Sequence, residues 1–328
     1  MVRKAGLLIV VCMALGAGPA LAAGTKTVAV APPKPANVKP ADTDMALPGD
    51  PIYGAFDSGR YIEAKTLAEE AAAKGDGPSH TLLGQMYEQG LGVAQDYDKA
   101  AEWYSRGAAL GEVHSQFSLG VMLAEGRGIK MDKKKAADFF ELAAARNHAV
   151  ALYNLSLIYV DGVARPQDFA KAAELMEKAA NFDYAPAQYD LAAFYKEGRG
   201  VFPSEDKTVY WLGKAAESGY ANAELEYGIL LFNGRGIAKN EKAGIEFIRS
   251  SAEKGNPVAQ NRLARAYAFG AGVSVDALVA CKWHLLSREA GVSDFRMDDF
   301  MSRLSADDRV KVEKAADQWQ ESMAALLQ

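Results

Sequence analysis

The chain has 328 residues, 49% of them apolar and 24% charged, which is enough hydrophobic material for a substantial core and excludes wholesale disorder. Its formal charge of −5 comes from 42 acidic against 37 basic residues, with no basic run beyond Lys133, Lys134 and Lys135. Phosphate binding needs clustered positive charge, so a nucleic-acid partner is not expected, and two cysteines cannot build a disulfide scaffold.

Residues 1–22 read as a secretory signal. Arg3 and Lys4 supply the positive start, Ala5 to Leu15 the apolar stretch, and Ala20-Leu21-Ala22 the small-residue cleavage pattern. The competing reading is an uncleaved anchor, since uncharged residues run from Ala5 to Ala23. Gly16, Gly18 and Pro19 make that run a poor spanning helix. Cys12 follows Val11 where lipid attachment would want a small residue. Cleavage removes Arg3 and Lys4 and so takes the formal charge from −5 to −7. It leaves Cys281 as the one thiol of a periplasmic or secreted chain with no transmembrane segment. Residues 23–50 carry Pro32, Pro33, Pro35, Pro40 and Pro48 and read as an extended, disordered linker.

From there the chain repeats itself with a period of 36: Gly90, Gly126, Gly162, Gly198, Gly234 and Gly270 are evenly spaced. A half-repeat over residues 51–78 precedes six copies over 79–294. Its Glu63, Ala64, Leu67, Ala72 and Gly75 stand 36 residues before Lys99, Ala100, Trp103, Ala108 and Gly111.

Each copy predicts two antiparallel helices. The large column Leu83, Leu119, Leu155, Leu191, Tyr227, Leu263 is followed by the small column Gly84, Gly120, Ser156, Ala192, Gly228, Ala264. The second helix has its own small column from Ala100 and a bulky one: Trp103, Phe139, Leu175, Trp211, Phe247, Trp283. Small against bulky predicts interdigitated packing across the pair. The column Gly111, Asn147, Asp183, Gly219, Gly255, Gly291 holds residue types that tolerate positive φ and predicts left-handed C-caps.

Beyond Gly291 the phase is lost. Residues 295–328 predict capping helices, the last opened by Ser305 and Asp308 as a capping box, with Val312, Ala315, Trp319, Met323 and Leu326 on one face.

Leu83-Gly84, Tyr87, Gly90, Gly92-Val93, Asp96, Lys99-Ala100 and Trp103-Tyr104 together resemble the Sel1-like repeat, a relative of the tetratricopeptide repeat, over about residues 52–294. Copy three departs at Gly162-Val163-Ala164-Arg165-Pro166, which lacks the second glycine, and copy five shifts its Lys-Ala pair to Lys242-Ala243. The resemblance implies an all-α, right-handed α-solenoid with a C-terminal capping helix, acting as a protein-interaction scaffold.

On a helical wheel the first helices carry a face opposite their partners, and it reads unexpectedly apolar. Through the copies it presents Phe117 and Val121; Tyr153, Leu157 and Val160; Tyr189 and Lys196; Leu225, Ile229 and Phe232; then Arg265. One reading is burial between neighbouring repeats, the expectation for Val121, Leu157 and Ile229. The other is an aromatic-lined groove for a protein or peptide of the envelope, the expectation for Tyr153, Tyr189 and Phe232. A cell-wall or glycan binder would use Phe117, Tyr153 and Tyr189 as sugar platforms.

No motif calls for a cofactor, and His80, His114, His148 and His284 have no metal-ligand spacing. The Gly-Arg-Gly triplets beginning at Gly126, Gly198 and Gly234 lack the strand and the Gly-Lys-Ser/Thr ending of a phosphate loop. Ser204-Glu205-Asp206-Lys207 matches the SxxK pattern of penicillin-recognising enzymes. Ser204 stands in the column of Asp96, Asp132 and Asp168, however, and reads as a helix N-cap. The expected protein is a non-enzymatic scaffold.

Overall fold

The computed structural model describes residues 50–326, and all regular structure among them is helical. The signal and nearly all of the proline segment lie outside the described residues. Helices α1 (Pro51–Asp57) and α2 (Tyr61–Ala72) come first. Six pairs follow: α3 (Gly77–Gln89) with α4 (Tyr97–Ala109), α5 (Val113–Glu125) with α6 (Lys133–Ala144), α7 (Ala149–Asp161) with α8 (Phe169–Asn181), α9 (Ala185–Glu197) with α10 (Glu205–Glu217), α11 (Ala221–Asn233) with α12 (Glu241–Glu253), and α13 (Pro257–Phe269) with α14 (Ala277–Glu289). Then come α15 (Phe295–Ser302) and α16 (Ala306–Leu326).

This is an all-α solenoid whose helices divide into two compact units. The first runs to Ala187 and includes Gly198–Phe202, with α1 to α8 each packed on the next. The second holds Gln188–Glu197 and the chain from Pro203 onward; there α10 to α14 pack consecutively and α16 lies on α14.

The caps explain why the helices start and stop where they do. Asp96, Asp132, Asp168, Ser204, Asn240 and Asp276 are the N-caps of the second helices, each side chain accepting a backbone N–H of the first turn. Such a cap contributes about 1 kcal/mol. At the other end the predicted left-handed column holds throughout. Asn147 and Asp183 adopt φ of 62° and 56°, beside Gly111, Gly219, Gly255 and Gly291, which are all positive as well.

Helix pairing follows the small first-helix column, with one change of register. A Cβ on Gly84 would overlap the Tyr104 ring, and one on Gly120 would overlap Phe140. The bulky partner is therefore the residue after the predicted one. A step of 100° turns Trp103 away from the pair seam, onto a cluster that holds Ala68 and Ala72 of α2 and onto the His80 ring at 5.6 Å. Phe140 is fully enclosed in the seam. Its truncation to Ala would cost about 3–5 kcal/mol by loss of contact and creation of a cavity.

Five of the six copies place a second loop glycine against the N-terminal turn of the preceding second helix. At Gly128 and Gly200 the added Cβ would fall on the carbonyls of Tyr97 and Phe169. Copy three carries Ala164 there. Its loop is held instead by Arg165, which donates to Asp138 at 2.5 Å and to Glu141 at 2.8 Å on α6.

At the C-terminal end, Asp308 N–H donates to Ser305 Oγ at 3.2 Å and opens α16. Val312 and Ala316 are buried, and Trp319 meets Trp283 edge-on at 5.9 Å. The apolar face stops short of the predicted length: Leu326 is 80% exposed.

Candidate functional site

The outer face of the first helices sorts into two columns with different uses. The column Thr81, Phe117, Tyr153, Tyr189 meets the residue 31 positions later, which stands at the N-terminus of the next first helix. Thr81 Oγ1 donates to Glu112 at 2.5 Å. Phe117 stacks on His148 at 4.7 Å, Tyr153 meets Tyr184 edge-on at 5.3 Å, and Tyr189 lies against Tyr220 at 5.2 Å. Tyr189 Oη also donates to Glu226 at 2.6 Å. These pairs are the joints between successive repeats, and aromatic pairs of this kind contribute about 0.5–1.5 kcal/mol beyond their buried area.

Tyr153, expected to line an open groove, is instead 6% exposed and packed against Tyr184. Val121, Val160 and Leu225 are buried too, and Leu225 belongs to the core of the second unit. Phe117 and Tyr189 are half-buried in their joints. Leu157 and Ile229, expected to be buried between neighbouring repeats, keep part of their apolar surface open, as does Phe232. Lys196 and Arg265 are exposed. Gln85, Leu157, Ile229 and Arg265 share a register one helical turn after the joint column, with Val121 its buried member, while Lys196 and Phe232 stand a further turn along.

The joint column was missed because its partners lie 31 residues apart, beyond any helical period. The signal was present as a second column, Glu112, His148, Tyr184 and Tyr220, that changes character in step with the first.

His148 shows the chemistry of a joint. Its Nδ1 accepts the Ala151 N–H at 3.1 Å, capping α7, while the ring is stacked on Phe117 and lies 5.3 Å from His114. Burial, then the neighbouring His114, pushes its pKa down from 6.5 to about 4. The unfolded chain therefore binds a proton that the fold excludes. This stability is fully present above about pH 6.5 and falls away as pH drops toward 4, by up to about 3 kcal/mol. Substituting His148→Asn, the residue that caps α13 at Asn256, is expected to flatten the loss of urea-unfolding midpoint between pH 7 and pH 4.5. An unchanged slope would contradict the assignment.

The remaining ionisable groups are mostly engaged in structure. His80 Nδ1 lies 2.7 Å from the Asp76 carbonyl, and His284 Nε2 lies 2.8 Å from Asp298. Arg127 is half-buried between Glu88 and Glu125. Ser204 Oγ accepts the Lys207 N–H at 3.3 Å as an N-cap, and the Lys207 ammonium turns to Tyr195 Oη at 3.0 Å. Burial pushes the Cys281 thiol up to about 11. Among the described residues no group of three or more His, Cys, Asp or Glu is placed to hold a metal ion, and no helix is long and apolar enough to cross a membrane.

Helix pairs joined by repeating glycine loops and capped at both helix ends define a repeat protein of the tetratricopeptide-like class. The Sel1 repeat pattern matches residues 77–112, 113–148, 149–181, 185–220, 221–256 and 257–292, more than half of the chain, and the chain belongs to the Sel1 repeat family. A Sel1 repeat protein from Oxalobacter formigenes is 28% identical with a TM-score of 0.67, over 73% of this chain and 98% of that one. The protein c5321, a protective antigen present in uropathogenic Escherichia coli strains, is 26% identical with a TM-score of 0.52, over 80% of this chain and 64% of that one. No curated protein matches the chain. Sel1 solenoids commonly serve protein–protein interaction and are generally non-enzymatic scaffolds.

Proposed function

We propose that this chain is an exported scaffold that binds a protein or peptide partner of the envelope on the outer face of its first helices. One observation carries the reading: Leu157 and Ile229 keep apolar surface open on the outer face, Leu157 on a helix whose other apolar side chains are largely buried and Ile229 beside the equally open Phe232. Within each unit this column runs beside the rigid joints, and a surface held in place before binding loses little entropy on association. Export rests on the signal pattern of residues 1–22.

The sugar-platform alternative needs free ring faces. Phe117, Tyr153 and Tyr189 each pack against another ring, that of His148, Tyr184 and Tyr220, so no observation favours it.

Photoreactive residues placed singly at Leu157 and Ile229 are expected to crosslink a discrete protein in intact cells. The same residue at Leu142 or Tyr210, both exposed on second helices, is expected to give none. Equal labelling from both helix sets, or labelling of peptidoglycan alone, would overturn the proposal.

A further inference from the structure

Copy six breaks the pattern of the face, and it does so in a chain whose net charge is negative. Along α13, Val258, Arg262, Arg265 and Phe269 follow one another at intervals of four, three and four residues and so share one stripe. Val258 and Phe269 are 46% and 50% exposed, and both arginines are exposed. Helix α15 lies against this stripe: Arg296 stands over the Phe269 ring at 5.4 Å, and Phe300 meets that ring at 6.2 Å. Phe295, the first residue of α15, is 84% exposed.

The acidic residues nearby are already engaged. Asp294 caps α15, accepts from Asn261 at 3.1 Å, and has only a long contact of 3.5 Å to Arg265. Asp298 lies beside His284 and Arg288, and Asp299 beside Arg303. Arg262 and Arg296 have no carboxylate partner among the described residues.

Unneutralised guanidinium groups between exposed aromatic rings are poor as a solvated surface and strong as a recognition surface. Arginine and aromatic side chains dominate interface energetics, and the guanidinium fork matches a carboxylate in bidentate geometry. We infer that the α13–α15 face docks an acidic partner segment, one with carboxylates spaced between bulky apolar side chains. The carboxylates meet Arg262, Arg265 and Arg296; the apolar groups pack on Phe269 and Phe295. This names the chemistry of the partner and rests on the scaffold reading.

The test uses the full mature chain and a fluorescent twelve-residue peptide of repeated Leu-Glu-Glu-Phe units, with a Gln-for-Glu peptide as control. Binding is expected to favour the acidic peptide and to weaken with salt. The double variant Arg262→Glu/Arg296→Glu is expected to weaken it by about tenfold or more, while Lys314→Glu, exposed on α16, leaves it unchanged. Phe295→Ser is expected to weaken binding but retain the salt slope. Circular dichroism checks that each variant keeps its helices.

Equal binding by the double variant, or no preference over the Gln peptide, overturns the inference. So does tighter, Arg262-dependent binding to phosphatidylglycerol vesicles, which would make the surface a lipid site. Self-association that is lost in the double variant would make it a contact between copies. Failure here with crosslinking from Leu157 intact removes only the partner chemistry; failure of both removes the scaffold reading as well.

Discussion

Substituting Gly128→Val is expected to lower the stability of the chain by about 3 kcal/mol or more. Two penalties add at that position. Gly128 has φ of 61°, a left-handed conformation costing a side-chain-bearing residue roughly 1–2 kcal/mol, more for a β-branched one. The Cβ would also fall on the Tyr97 carbonyl, so the loop must leave the first turn of α4, an overpacking cost of about 1–3 kcal/mol. Gly111 isolates the two: its φ is 80°, yet nothing lies within 4 Å of a Cβ there. Gly111→Ala should therefore cost only about 1 kcal/mol. Urea unfolding of both variants measures the difference, and equal losses would contradict a role for the loop glycine in closing one repeat against the next.

Tyr153→Glu is expected to cost about 4 kcal/mol. The position is 6% exposed and its ring packs edge-on against Tyr184, itself 3% exposed. A carboxylate there either carries an unpaired charge into the interior or takes up a proton, and it forfeits the aromatic contact in both cases. Loss of partner capture by this variant would follow from a loosened joint between α7 and the start of α9. Tyr153→Phe keeps the ring and is expected to cost under about 1.5 kcal/mol. A Tyr153→Glu chain as stable as the parent would place the side chain on an open surface after all.

The helices and their caps were legible in the sequence because each is a local rule written six times. Asp96 and its column state an N-cap, and Asn147 and Asp183 state a left-handed residue, whatever the copies touch. Pair register was less legible. Trp103 and Tyr104 are both large and adjacent, and a period of 3.6 cannot say which enters the seam; only the close approach of Gly84 to Tyr104 does. The outer face was legible as apolar but not divisible into joint and open columns. Thr81 bonding Glu112 and Phe117 stacking on His148 are contacts between copies, and their 31-residue offset depends on how one helix pair is set against the next. The basic end of the face was visible only as Arg265. Arg296 joins it through the fold, carried there by the α15 cap at Asp294.

On the proposed function, the joint column builds the solenoid while the neighbouring open column recognises a partner. Stability and partner capture measured together in Leu157→Arg test it most directly. Leu157 is half-buried, and Arg265 already occupies the same column, so arginine there is expected to lower the free energy of urea unfolding by no more than about 1 kcal/mol. The same variant should lose capture of the protein partner in intact cells. Undiminished capture at full stability would contradict the division of the face, and so would capture lost only in proportion to stability.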